Sequence, residues 1–283
     1  MLTMADLNRR DFLKITSLAV GGSFLASTVL LRTKDESGQP SLERITIPVK
    51  HLHPALEGFT IAQLTDFHLY PYTQPDLIRQ AVEITNSIKP DLIVLTGDYV
   101  WRNVEAIFVL APILSNLNAS QGVYTVIGNH DIWTNVNVVK KGLREARLPI
   151  LENQGVTITS GKGNFYLAGL DDGWSGEADL EAALENAPSE TPVVLLVHEP
   201  DLADIYSLDG RVALQLSGHS HGGQVRIPGF GALVLPYLGK KYDLGLYKVN
   251  DMWLYTNRGI GNISVPFRYN CPPEITEFTL TRL

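Results

Sequence analysis

Thr60-Ile-Ala-Gln-Leu-Thr65 runs into Asp66-Phe67-His68, and the same figure recurs four more times along the chain. Leu92-Ile-Val-Leu-Thr96 leads to Gly97-Asp98, and Val123-Tyr-Thr-Val-Ile127 leads to Gly128-Asn129-His130-Asp131. Val193-Val-Leu-Leu-Val197 ends at His198, and Val212-Ala-Leu-Gln-Leu-Ser217 at Gly218-His219-Ser220-His221. Short, near-continuous apolar runs are what strands buried on both faces require. Five of the seven histidines fall in the turns that follow these runs. In open α/β sheets, the loops leaving the carboxyl ends of the strands converge on one edge, where ligands bind. Residues as distant in sequence as Asp66 and His221 are therefore predicted to meet in one crevice.

Between the runs lie helical patterns. Pro75–Lys89 places Leu77, Ile78, Ala81, Val82, Ile84 and Ile88 at helical spacing, with a proline suited to a first turn. Asn103–Leu117, Asn137–Ala146 and Glu177–Leu184 read the same way. Strand and helix in alternation predict βαβ units and a mostly parallel sheet with helices outside. From Ala213 onward the texture shifts to short strands and Gly/Pro turns (224–227, 232–235, 247–249, 252–255, 275–280), predicted to be antiparallel. The division expected is a leader over residues 1–34, a linker over 35–43 and one catalytic domain over 44–283.

Asn8-Arg9-Arg10-Asp11-Phe12-Leu13-Lys14 has the form of a twin-arginine export signal, followed by the weakly apolar stretch Ile15–Leu31. At 17 residues that stretch sits at the lower limit for spanning a bilayer, so retention as a membrane anchor is the alternative to cleavage. Export through the twin-arginine translocase is expected, to the periplasm, the cell wall or the outer face of the cytoplasmic membrane. Residues 1–34 carry a net charge of +3, leaving −10 for the rest of a chain whose total is −7. Such an acidic body argues against nucleic acid as a partner, since that binding needs basic surface to displace counterions. Cys271 is the single cysteine, which excludes an intrachain disulfide and a Cys-rich metal site.

Taken in order, Asp-x-His, Gly-Asp, Gly-Asn-His-Asp, His and Gly-His-x-His resemble the calcineurin-like metallophosphoesterases. The stretches His198-Glu-Pro-Asp201, Gly218-His-Ser-His-Gly-Gly-Gln224, Asn257-Arg-Gly-Ile-Gly261 and Pro272-Pro-Glu274 resemble its exported bacterial phosphodiesterase branch (YkuE/YaeI-like). Phe67 stands where that branch more often has leucine, and leaves both neighbouring ligands in place. The resemblance implies a four-layer αββα sandwich, with two facing mixed sheets flanked by helices. It also implies two divalent cations, one held by Asp66, His68 and His221, the other by Asn129, His198 and His219, with Asp98 bridging. His130 would then face the substrate as proton donor, with Asp131 orienting it and raising its pKa.

The implied activity is a binuclear phosphoesterase, a phosphodiesterase acting on a lipid-linked or cell-envelope phosphodiester through metal-activated hydroxide. A pyrophosphatase of the UDP-2,3-diacylglucosamine type and a non-catalytic envelope metal-binding protein are the alternatives. Mixed Asp, Asn and His ligands suit Mn, Fe or Zn. Export in folded form would let Mn be loaded in the cytoplasm first, which makes Mn the expected metal. Four further groups stay open: His51 and His53 as a surface turn, and Asp171-Asp172 as a loop. Arg226, Arg258 and Arg268 are phosphate contacts or ion pairs, and Trp101, Trp133 and Trp174 are mouth or packing residues.

Overall fold

The computed structural model describes residues 35–283, so the twin-arginine pattern and the apolar stretch after it lie outside the described residues. The chain runs β1 (Ser41–Val49), β2 (Thr60–Leu64), α1 (Pro75–Ile88), β3 (Leu92–Thr96), α2 (Ile107–Leu114), β4 (Val123–Val126) and α3 (Asn129–Glu145). It continues with β5 (Gln154–Ser160), β6 (Gly163–Gly169), α4 (Leu180–Leu184), β7 (Val193–Leu196), α5 (Ala203–Tyr206) and β8 (Val212–Ser217). The last elements are β9 (Arg226–Ile227), β10 (Gly231–Ala232), β11 (Gly245–Val249), β12 (Met252–Thr256) and β13 (Glu274–Arg282).

Two mixed sheets result, in the orders β1-β13-β2-β3-β4 and β11-β12-β8-β7-β6-β5, with β9 and β10 forming a separate small hairpin. The alternation of side chains across each strand explains the layering. In β3, Ile93 and Leu95 pack with Ile78 and Ala81 of α1, Leu110 of α2 and Leu143 of α3. Leu92 and Val94 point the other way and meet Leu196 and Leu216 of the second sheet. On β7, Val194 and Leu196 share that central layer, while Val193 and Leu195 pack outward on Leu184 of α4 and Ala203 of α5. Three apolar interfaces thus separate four layers, and a strand covered on both faces has no polar side to show. Truncating Leu216 to alanine in the central interface would cost about 2–5 kcal/mol.

The strands that precede the five motif turns run parallel within their sheets: β2 with β3, β3 with β4, and β7 with β8. The end predicted to be antiparallel is so for β9 with β10 and β11 with β12, but β12 pairs parallel with β8. β13 lies parallel to β1 and antiparallel to β2. The linker expected over 35–43 is shorter than its sequence suggested. Ser41–Glu43 already belong to β1, where Ser41 pairs with Glu274, a partner too distant in sequence for local patterning to reveal.

The third helix also starts earlier than Asn137. Gly128 caps it, and Asp131 three residues on accepts the Gly128 N–H, so Asn129 and His130 form its first turn. Asn135 breaks the helical backbone (φ −169°, ψ 95°), and that break hid the first turn from the periodicity.

Candidate functional site

All five motif turns open from the carboxyl ends of β2, β3, β4, β7 and β8. Asp66, His68 and His221 form one buried cluster of ligand atoms, and Asp98, His198 and His219 a second, each lying within 4.8 Å internally. In the first, His221 Nε2 is 3.0 Å from His68 Nε2 and 3.3 Å from Asp66 Oδ1. Asp98 stands between the clusters: its Oδ2 is 3.1 Å from His198 Nε2 and 3.3 Å from His68 Nε2. Its other oxygen accepts the His130 N–H at 2.9 Å.

The backbone there is unusual. Asp66, His68, Asp98, His219 and His221 have φ between 42° and 70°, in the left-handed region that costs most side chains energy. Asp, Asn and His tolerate that region better than most, so the same residue types suit both the turn and the ligand role. At Gly97 (φ +97°) only glycine suits both the backbone and the space. A Cβ there would lie 2.8 Å from both the Gly128 nitrogen and His198 Nδ1, and one on Gly128 would collide with Asp98 Oδ1.

A buried cluster of this kind fits cations. Both polar atoms of Asn129 and His68 Nδ1 are buried without a hydrogen-bond partner among the described residues. Atoms so placed are costly unless something binds them. Burial lowers the proton affinity of His198, yet Asp98 and Asp66 outweigh it and hold the imidazole well above its ordinary pKa. Burial likewise raises Asp66 and Asp98, but neighbouring imidazoles, His221 foremost for Asp66 and His198 for Asp98, hold both below the usual carboxylate range. The pair of carboxylates therefore draws positive charge into the crevice. Backbone carbonyls set two of the rings: His198 Nδ1 donates to Thr96 O at 2.7 Å and His219 Nε2 to Tyr237 O at 2.7 Å. With a cation bound in place of the proton, His198 Nε2 and His219 Nδ1 would be the nitrogens free to ligate it.

His130 lies at the edge of this cluster, its ring edge-on to His68 (4.9 Å) and to Trp133 (4.8 Å). The expected role of Asp131 is corrected. Its carboxylate accepts N–H bonds from Asp98, Tyr99, Val100 and Gly128 at 2.9–3.2 Å, so it ties the β3 and β4 turns together rather than orienting the His130 ring. Burial pulls His130 down to about 4, the opposite of the expected direction, so its imidazole is neutral near pH 7.

The arginines are also resolved. Arg226 pairs with Asp243 and Arg258 with Glu43 and Glu274. Arg268 is fully buried and donates to the carbonyls of Cys271, Arg258 and Gly261. Its Nη2 also lies 3.3 Å from His221 Nδ1, so it acts beneath the ligands rather than on a substrate. Trp133 and Trp174 do line the mouth, half-exposed, with ring centroids 4.8 Å apart and Trp174 in contact with His219 and Tyr237. Trp101 is buried under Arg102. His51 and His53 lie in an exposed turn. Asp171 and Asp172 cap a loop, the latter accepting N–H bonds from Trp174 and Ser175. The carbonyls of Thr96 and Tyr237 were not foreseeable, since every residue carries one.

Residues 59–223 match the calcineurin-like phosphoesterase family. The chain is 34% identical to the uncharacterized metallophosphoesterase YkuE of Bacillus subtilis over 291 aligned positions, 98% of this chain and 99% of that one. It is also 34% identical to the phosphodiesterase YaeI of Escherichia coli over 226 positions, 78% of this chain and 82% of that one. Among solved structures, the NAD nucleotidase of Haemophilus influenzae superposes with a TM-score of 0.50 at 13% identity. That alignment covers 72% of this chain and 45% of that one, and it speaks to the fold alone. With the layered sheets and the paired ligand clusters, these matches establish that the chain belongs to the calcineurin-like phosphoesterases, metal-binding hydrolases of phosphoric esters.

Proposed function

We propose that the protein is a phosphodiesterase of the cell envelope, acting with two divalent cations on a phosphodiester carried by a lipid or an envelope polymer. The observation that supports this most is the convergence of Asp66, His68, Asp98, His198, His219 and His221 as two adjoining buried clusters, with the polar atoms of Asn129 buried and without a hydrogen-bond partner among the described residues. Asp66, His68 and His221 would hold one cation, Asn129, His198 and His219 the other, and Asp98 would bridge. Cations held there supply an acidified water and neutralise charge on the phosphate oxygens.

The chain's own residues do the rest. Asp131 and the glycines hold the turns at the spacing the ligands need. His130, neutral and partly exposed, donates an N–H hydrogen bond to the charge developing on a leaving alkoxide oxygen. The indole faces of Trp133 and Trp174 wall the approach and limit water around the reacting phosphate. Diester preference agrees with the name of the Escherichia coli relative. Location outside the cytoplasmic membrane rests on Arg9-Arg10 and the stretch after it. Mn is our preferred metal, loaded before a folded chain is exported.

Turnover of bis-p-nitrophenyl phosphate by protein of known metal content tests the reaction. Activity should vanish on chelation and return best with Mn, exceeding that on p-nitrophenyl phosphate. A chain that binds two metals yet turns over neither ester would be a binding protein instead. The location has its own test: Arg9→Lys with Arg10→Lys keeps the charge but should strand folded, metal-loaded protein in the cytoplasm. Normal export of that variant would remove the case for a twin-arginine route and, with it, the case for Mn.

A further inference from the structure

Val225–Leu238 is a stretch of 14 residues whose single charge is Arg226, in a chain that is 19% charged. It folds as the β9–β10 hairpin and its continuation, and it projects apolar side chains outward. Phe230 is 88% exposed, Val234 78% and Leu233 60%, with Ile227 and Tyr237 also exposed. The base is firmly rooted: Arg226 reaches Asp243 and the Gly222 carbonyl, and Leu233 N–H bonds to Val225 O. A second uncharged loop, Ile263–Phe267, stands beside it, joined through Gln224. Gln224 Nε2 donates to the carbonyls of Val265 and Phe267, and its Oε1 accepts the Ile263 N–H. Soluble proteins seldom expose contiguous apolar side chains without a partner for them.

Three features of the chain identify that partner. First, Glu36, at the start of the catalytic unit, donates its N–H to Arg268 O, next to Tyr269, whose own carbonyl accepts the Arg226 N–H at the hairpin base. Four residues of sequence lie between Glu36 and the apolar stretch Ile15–Leu31. Second, the hairpin leads directly to the site: the carbonyl of Tyr237 orients His219, and Tyr237 stacks edge-on with Trp174 at the mouth. Exposed Trp and Tyr beside apolar tips are the residues favoured at a membrane–water interface. Third, a bilayer accepts a narrow apolar protrusion of any shape, whereas a protein partner needs a complementary groove.

The geometry points to a lipid bilayer as the occupant: the β9–β10 hairpin, with the Val265 loop, inserts into the interface and sets the mouth of the metal-ligand crevice against the lipid surface. Attachment is by apolar insertion rather than by charge, since the body of the chain carries −10 against −7 for the whole. The docking is independent of which ester is cleaved, because the contact needs no substrate.

The test uses the full chain with Phe230→Cys carrying an environment-sensitive fluorophore, and phosphatidylcholine vesicles with brominated acyl chains. Cys271 is buried and takes no label under native conditions. The label at 230 should be quenched, while one placed through Leu208→Cys, 76% exposed at the amino end of β8, should not. Phe230→Asp with Val234→Asp should lower vesicle partition by about tenfold to a hundredfold per side chain. Both positions are exposed, so the fold and turnover of soluble bis-p-nitrophenyl phosphate should be unchanged. Partition should hold as salt is raised. Chain that sediments with vesicles while the 230 label stays unquenched would overturn the proposal, leaving the N-terminal stretch as the anchor. So would a dimer in lipid-free buffer that Phe230→Asp dissociates, which would make a second copy the occupant.

Discussion

The two ligand clusters differ in what stands behind them. His198 and His219 each donate their outer ring nitrogen to a backbone carbonyl, an arrangement that fixes the tautomer and strengthens the inner nitrogen as a ligand. His68 and His221 have no such support. His68 Nδ1 lacks a partner among the described residues, and His221 Nδ1 faces the Arg268 guanidinium, which can only donate. The second cluster also hangs from Asp131, whose carboxylate gathers four N–H groups from the turns that carry Asp98 and Asn129. One half of the site is therefore braced by carbonyls and a buried carboxylate, the other by packing and a buried cation. The difference teaches that metal affinity here is set behind the ligands as much as by them.

Removing the residue that joins the halves should erase the difference altogether. Asp98→Ala is expected to bind neither metal and to show no turnover, read by elemental analysis and the diester assay. Two metals retained with native activity would refute the bridge. Next in size is His130→Ala, which should keep both metals and lose about 10²- to 10³-fold in rate on esters with poor leaving groups, the cost of removing one neutral donor from a developing oxyanion. The loss should shrink for p-nitrophenolate, whose leaving oxygen delocalises its charge and needs less stabilisation; an equal loss on both substrates would make His130 a structural residue.

Asp131→Asn sharpens the contrast between the halves. One carbonyl oxygen cannot accept four N–H bonds, so the variant should unfold about 2–4 kcal/mol more easily and lose its metal first from the Asn129–His198–His219 half. Denaturant melts and metal content together decide it; uniform loss from both halves would mean the brace is global. The smallest effect concerns the wild type. Graded chelation should release the Asp66–His68–His221 cation first, with about tenfold weaker affinity, the low end of what outer partners of a ligand contribute. A single concerted release would show the clusters to be equivalent.

Much of this was legible in the chain itself. Apolar runs such as Leu92–Thr96 specify doubly covered strands because a strand between two layers has no solvent face. The turns after β2, β3 and β8 specify ligand chemistry because Asp and His serve both a left-handed turn and a cation. What local pattern could not carry was pairing over distance. β1 begins at Ser41 because Glu274 lies beside it, and β12 is parallel because it meets β8. The same limit applies within the site. Gly128-Asn-His-Asp131 announces four polar side chains, yet only the tertiary structure turns Asp131 toward backbone N–H groups and buries Arg268 behind His221. Residue type determines what a side chain can bind. Which partner it finds is decided by the packing that brings distant backbone into reach, and by the requirement that every buried polar group be satisfied there.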